Sequence, residues 1–497
     1  MNTILKSIRL KNILTIGLII LSMYSFGQTK ERETMIAPEK LKQDFKVLRA
    51  ALEEGYPGMN RYHPKRYTDS LFDSSEKKLQ KKISERKFFL FISKIVMQLQ
   101  DGHMDVYPTE KTQDLLKKSD CTIPFQAFIS KGKMYVQKNY STLNDKELLG
   151  AEVISINNQP VSSFIGDVLK ICTSDGNNQT NKYKRLESTG LLTQYLYDIQ
   201  GYRNTYKIKY IPFQGTKTKI TTLKGIEYQN LLKIRKDKYP GIEQLPAKFN
   251  VLNSSTAYLK IASFNKADYR KNNMDFVELM KSSFETIKSK EIKNLILDLR
   301  GNLGGTDAYG KILYSYFTDH DFLYYSALTI NKPEFDFTKY TDEPDLKIPE
   351  EAIKMNEAGT YDVIDHPNVG MQKNSLPYFS GQLYILIDGD CFSTTAECLS
   401  MLHSYTSAVF IGEESGGGYY GNFSGSVPNL TLPNSKLQIG IPLMKYMMAV
   451  KDYKFKDRGV IPNYYITPTI KNRIESRDPE LEFTKKLLDN DSLHINP

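Results

Sequence analysis

The sequence has little of what marks metal, redox, membrane or nucleic-acid proteins. It contains no C-x-x-C pair and no clustered His/Cys spacing, and its four cysteines, Cys121, Cys172, Cys391 and Cys398, are dispersed. That removes the zinc-ribbon and dithiol readings, and neither a metal nor a cofactor is expected. Beyond the first 27 residues no window is apolar enough to span a bilayer core, which takes about 20 residues, so no integral membrane segment is expected in the mature chain. There is no internal repeat and no low-complexity tract, which excludes solenoids and disordered linkers. The net charge of +10 is not accompanied by a zinc-finger or RNA-recognition signature. Its densest basic stretches, residues 77–82 and 233–238, have Asp or Glu within or beside them. They read as solvated faces, and no nucleic-acid partner is expected.

What is present is an ordinary globular composition, 40% hydrophobic and 25% charged, over 497 residues. Single cores stop growing at about 250 to 300 residues, so several domains are expected. The first 27 residues read as an export signal: Lys6, Arg9 and Lys11, then an apolar run over residues 13–24, then Ser25 and Gly27 ahead of a cut. The expected location is periplasmic or extracellular, and no cysteine follows the cut to carry a lipid. Disulfides form in that compartment. Cys391 and Cys398 read either as a bridge or as two small buried apolar side chains.

Three rhythms follow the leader. Over residues 39–100 apolar positions recur at helical spacing, as in Leu41, Phe45, Leu48 and Leu52, then Phe88, Leu90, Ile95 and Leu99. Residues 28–110 are therefore read as a helical region, broken at Tyr56-Pro57-Gly58. Over residues 111–226 the pattern shortens to alternating strands, including 134–136 and 205–211, which predicts a small β-rich domain. From about residue 256 strand and helix alternate. NLILDL (294–299) precedes a helix over 308–317, LYILID (383–388) precedes a helix over 394–405, and AVFIG (408–412) follows. Such alternation predicts a largely parallel sheet covered on both faces, in a domain spanning 227–490. Residues 331–375 read as a long irregular insert of the kind that forms lids or binding segments.

The chemistry concentrates in DGDCFSTTAE (388–397), at a strand end and a helix start. Ser393 stands there near the positive end of the helix dipole, where free N–H groups stabilise a developing oxyanion. Thr394-x-x-Glu397 reads as a capping box with Thr394 as the cap. Taken alone, Ser393 reads more readily as one more helix-start residue. The wider context separates the two readings. LILDLRGNLGG (295–305), ILIDGDCFSTTAE (385–397), FIGEESGGG (410–418) and DRGVIPN (457–463) occur in this order. Together they resemble the tail-specific, or C-terminal processing, serine proteases. GAEVISINNQPV (150–161) resembles the part of a PDZ domain where a strand reaches a turn and the next element starts.

The resemblance implies an α+β multidomain chain: a helical amino-terminal region, a PDZ-like β domain over 111–226, and a crotonase-like (ClpP/crotonase) α/β catalytic domain. It implies Ser393 as nucleophile, with Gly304 or Gly305 and the N–H of Thr394 forming the oxyanion hole. Glycine suits that place because backbone approaches a substrate carbonyl only where no side chain intervenes. Three departures stand out. The lysine of the processing branch is replaced by Gly418, the family glutamate is displaced to Glu397, four residues after the serine, and the last aspartate of the final motif is Asn463. A second branch, similar to the tricorn core protease and the retinoid-binding-protein repeats, draws its base from the amino-terminal part. QDGHMDV (100–106) resembles that segment and implies His103 as base, with Asp457 the nearest match to the branch's acidic residue. His63, His320, His366, His403 and His494 have no such context. The expected protein is an exported serine-type endopeptidase that cleaves peptide or protein substrates through an acyl-enzyme, without metal or cofactor. A non-catalytic ligand-binding protein on the same scaffold and a small-molecule esterase are the alternatives. The sequence leaves the oligomeric state open.

Overall fold

The computed structural model describes residues 34–240 and 245–493. The leader expected over residues 1–27 lies outside the described residues. Helices Pro38–Gly55, Lys65–Glu76 and Glu85–Val96 form the amino-terminal region. Proline opens the first of them, where its missing N–H costs nothing. The Ser84 side chain caps the third by accepting from the Lys87 N–H. The predicted stripe of Leu41, Phe45, Leu48 and Leu52 is fully buried. It closes a core with Phe335, Phe337, Leu430, Leu437 and Leu443, so distant parts of the chain meet on these helices.

An antiparallel sheet follows, with Phe125–Ser130, Lys133–Asn139, Glu152–Ile156, Thr205–Ile211 and Lys219–Lys224 side by side in that order. The Glu152–Ile156 and Gln159–Pro160 strands turn at Asn157 and Asn158, both at positive φ (50° and 67°). Asparagine is among the few residues that tolerate this conformation in a two-residue hairpin. Along Thr205–Ile211 the side chains of Tyr206, Ile208 and Tyr210 alternate into the core. The region is less purely β than its pattern predicts, because helices Val161–Val168, Thr180–Glu187 and Thr189–Gln200 pack on the sheet. Thr180–Glu187 buries only one apolar side chain, Leu186, so it shows no apolar stripe to read.

The largest unit is built on a six-stranded sheet, Ala247–Val251, Thr256–Ile261, Asn294–Asp298, Gln382–Ile387, Val409–Gly412 and Tyr464–Tyr465, neighbours in chain order. The first strand is antiparallel and the rest are parallel. Leu295, Ile296, Leu297, Ile385, Leu386 and Ile387 are buried on both faces, as parallel strands require. One face packs against helices Phe276–Ser289, Asp307–Ser315 and Thr394–Tyr405, and the other against helix Pro479–Leu493. The chain is thus a mixed α/β multidomain protein.

The insert is more ordered than expected. Within 331–375 lie a 3-10 turn at Asp336–Tyr340 and strands Ile353–Met355 and Tyr361–Val363, which extend the sheet that holds Tyr325–Ile330. The Glu54 carboxylate accepts the N–H groups of Asp336 and Phe337, and the Phe337 ring fills the space beside Gly55. Strands of three residues are too short to show a period in sequence, which is why the segment reads as irregular. No helix among the described residues is long and apolar enough to cross a membrane. All four cysteines are buried and free, so Cys391 and Cys398 form no bridge.

Candidate active site

Ser393 sits between strand Gln382–Ile387 and helix Thr394–Tyr405 at φ 54° and ψ −131°, backbone that a non-glycine residue rarely adopts. It is the helix cap position, and its side chain makes no capping bond. The capping box is therefore corrected: Thr394 is the first helical residue, and its hydroxyl donates to the Gly305 carbonyl at 3.2 Å. Glu397 does not reach back to the cap. Its buried carboxylate accepts from Tyr325 Oη and Asn422 Nδ2, each at 2.8 Å. The sequence signature fails because these tertiary partners compete for the carboxylate.

The glycine turn after strand Asn294–Asp298 packs directly on the serine. A side chain at Gly304 (φ 97°) would begin 2.8 Å from Ser393 Cβ and 3.0 Å from the Thr394 nitrogen. Asn302, fully buried, stitches the two turns together: its Oδ1 accepts the Gly304 N–H at 2.9 Å, and its carbonyl accepts the Phe392 N–H at 3.3 Å. The N–H of Gly304 is thus occupied. Gly305 (φ 143°) is held between the Gly304 and Thr306 bonds to Phe264. Among the described residues no protein group engages the N–H of Gly305 or of Thr394. Of the two expected glycines, Gly305 is the one with a donor to offer. Asp388 anchors the same turns, accepting from the Gly301 and Asp390 N–H groups. Burial opposes its ionisation, but Lys184 at 3.3 Å holds it below the usual carboxylate range. Asp390 is pushed up to about 7 by burial and by Asp388.

His103 reaches this place from the far end of the chain. Gln100 (φ 57°) ends the helical region and redirects the backbone. Strand Val106–Tyr107 then pairs with Gln438–Gly440 and fixes the segment to the rest of the molecule. The His103 ring packs at 4.4 Å between centroids on Phe392, the residue before the serine. Burial lowers its pKa, offset in part by Asp175, which favours the neutral ring that a base must present. Asp101 Oδ1 accepts the His103 backbone N–H at 2.8 Å and lies 3.9 Å from His103 Nδ1. Burial and Asp175 push the Asp101 carboxyl up to about 8. Asp175 accepts the N–H groups of Gly102 and Gly418 at 2.8 and 3.0 Å. A side chain at Gly418 would begin 2.9 Å from the Gly421 carbonyl and 3.5 Å from Arg61 Nη2, so the lysine position of the processing branch is closed by backbone and by a cation.

The structure brings Ser393, Gly304, Gly305 and Thr394 together and seats His103 against Phe392. Asp457 lies on an adjoining loop. Its carboxylate bonds to Asn177 Nδ2 and its carbonyl accepts the Asn177 N–H. Sequence reasoning passed over Asp101, two residues from His103 in the same motif, and Asp175, whose helical and loop surroundings carry no pattern. It also passed over a second polar cluster. Asp307 accepts from Tyr446 Oη at 3.2 Å, lies 3.4 Å from Thr394 Oγ1 and meets His366 Nε2 at 3.2 Å. Burial and Asp307 push Glu397 up to about 8.

A parallel-sheet domain with a serine on a strained strand-to-helix turn, facing a glycine turn, is the frame of a serine hydrolase. Residues 255–466 match peptidase family S41. In this part the chain is similar to the tail-specific proteases of that family, and the chain is a serine-type peptidase. No curated protein sequence matches it. Among solved structures it is similar to mature CPAF, with 14% identity and a TM-score of 0.58 over 90% of this chain and 96% of that one. It is similar as well to mature CPAF complexed with lactacystin, with 14% identity and a TM-score of 0.57 over 90% and 97%. At that identity the likeness is one of fold.

Proposed function

We propose that the protein is an exported peptidase that cleaves peptide bonds through an acyl-enzyme on Ser393. His103 takes the serine proton and returns it to the leaving amine, and the N–H groups of Gly305 and Thr394 hold the oxyanion. The observation that carries this reading is the strained backbone of Ser393, packed against Gly304 beside two unengaged amides. Strain of about 1 to 3 kcal/mol at one residue persists only where the surroundings enforce it. The seat of His103 on Phe392 and the closed lysine position support a histidine base, as in the tricorn-like branch. The crotonase-like assignment rests on the parallel sheet with its two strand-to-helix turns. The PDZ-like assignment rests on the Asn157-Asn158 hairpin leading into helix Val161–Val168, and that domain would take an extended peptide along a strand edge. Peptide or protein is the substrate class that the family implies. Purified chain, Ser393→Ala and His103→Ala are compared on casein and a peptide library. Cleavage by the parent alone is expected, and parent-rate cleavage by Ser393→Ala refutes the reading.

A further inference from the structure

The pocket around His103 holds more binding capacity than the proposed reaction uses. One ligand atom from each of Asp101, His103 and Asp175 lies within 4.8 Å of the other two. The Asp101 side chain is fully buried, and its Oδ2 makes no bond of full hydrogen-bond geometry among the described residues; the buried Tyr56 hydroxyl, unpartnered by the same measure, is the donor beside the carboxylate. Both ring nitrogens of His103 have no hydrogen-bond partner among the described residues. Buried polar atoms are ordinarily bonded, and a carboxylate oxygen left without a partner is costly. The carboxylates are nevertheless firmly oriented. Asp101 Oδ1 takes the His103 N–H, and the two oxygens of Asp175 take the Gly102 and Gly418 N–H groups. Each Asp175 oxygen keeps a second lone pair. Backbone donors that aim ligands, with the ligands' own lone pairs left open, form the supporting shell of a metal site.

We propose that Asp101, His103 and Asp175 bind one zinc-class dication, and that the bound ion switches the peptidase off by occupying the histidine. One imidazole nitrogen and two carboxylate oxygens with a fourth position for water form a set that Zn²⁺ accepts, at bonds of about 2.0 to 2.2 Å. The three side chains draw together from their present spacing on binding. Ca²⁺ takes six to eight oxygens and Mg²⁺ keeps an octahedral shell, so three ligands that include a nitrogen serve them poorly. The binding site stands on geometry alone, whereas the switch rests on the reading of His103 as base.

The test uses the full untagged chain carrying Ser393→Ala, titrated with zinc chloride by calorimetry. One zinc per chain is expected, with no binding of magnesium. Asp101→Asn keeps the side-chain volume and the Oδ1 acceptor, and it is expected to weaken zinc by at least about tenfold. Asp175→Asn is expected to do the same. If its loss of backbone acceptors unfolds the chain, Asp101→Asn decides alone. In the parent chain zinc inhibits cleavage at the concentration where it binds, and EDTA restores the rate. Absence of a single-site isotherm, or equal affinity in Asp101→Asn, overturns the site. Zinc binding that needs Asp101 in a chain that hydrolyses nothing upholds the site and overturns the switch together with the peptidase reading. Cleavage that zinc leaves untouched at saturation overturns the switch alone.

Discussion

Two buried polar clusters meet at the nucleophile turn, and they differ in how fully they are bonded. Around Glu397 and Asp307 the carboxylates are supplied with donors, Tyr325 and Asn422 on the first and Tyr446 on the second, and only Asn368 Oδ1 beside them lacks a partner among the described residues. Around His103 both buried ring nitrogens have no partner among the described residues, and Asp101 Oδ2 has only the Tyr56 hydroxyl beside it, short of full hydrogen-bond geometry. A satisfied network rigidifies what it touches, and a partly satisfied one has capacity left for a visitor. The first cluster thus holds the helix that carries Ser393, and the second is where chemistry or a ligand completes the bonding.

The largest effects are expected where the two clusters converge. Ser393→Ala removes the proposed nucleophile and His103→Ala the proposed base. Each is expected to lower turnover by at least about 1,000-fold, with the melting temperature of Ser393→Ala close to that of the parent. Retention of activity in His103→Ala would mean that the unsatisfied cluster is not the catalytic one. Next comes Gly304→Ala. Its methyl group meets Ser393 and Thr394 backbone at a positive φ, and an expected loss of about 100-fold in kcat, the scale of one lost oxyanion donor, checks that the glycine turn is aligned with the serine. A smaller effect, on stability alone, is expected from Phe337→Ala. Emptying the space beside Gly55 should cost about 3 kcal/mol in denaturant unfolding while leaving the chemistry intact.

A pH dependence of stability separates the clusters. Glu397 is raised from its ordinary 4.5 to about 8 by burial and by Asp307, so the native chain holds a proton that the unfolded chain releases. Its contribution to stability is complete below about pH 4.5 and is lost as pH rises toward 8, by at most about 1.4 kcal/mol per unit. Glu397→Gln does not titrate; its amide oxygen keeps the Asn422 bond, and its NH2 donates to the Tyr325 hydroxyl, which turns to accept. Its melting temperature should match the parent near pH 5 and exceed it above about pH 8. Parallel curves for the two proteins across that range would contradict the assignment.

The strands and helices that frame Ser393 were legible because parallel strands buried on both faces leave continuous apolar runs, such as NLILDL and LYILID. The choice of Ser393 as candidate nucleophile rests on the order of four motifs. The backbone of Ser393 was not legible, since serine is a common cap residue and the sequence does not say when φ turns positive. The role of Glu397 was misread because a local capping signature is overridden by Tyr325 and Asn422, which are remote in sequence. Asp175 was missed for the same reason, since what it does depends on Gly102 and Gly418, 73 and 243 residues away. The ordered insert escaped notice because its anchors are remote in sequence, among them Glu54, on a helix nearly 300 residues earlier, and Asn429, which donates to Asp342.

The most direct measurement is fluorophosphonate labelling of the purified chain followed by peptide mapping, in the parent and in His103→Ala. The account predicts one adduct, on Ser393, formed rapidly in the parent and slowly or not at all without the histidine. An adduct on another residue, or no adduct on a folded chain, would contradict it.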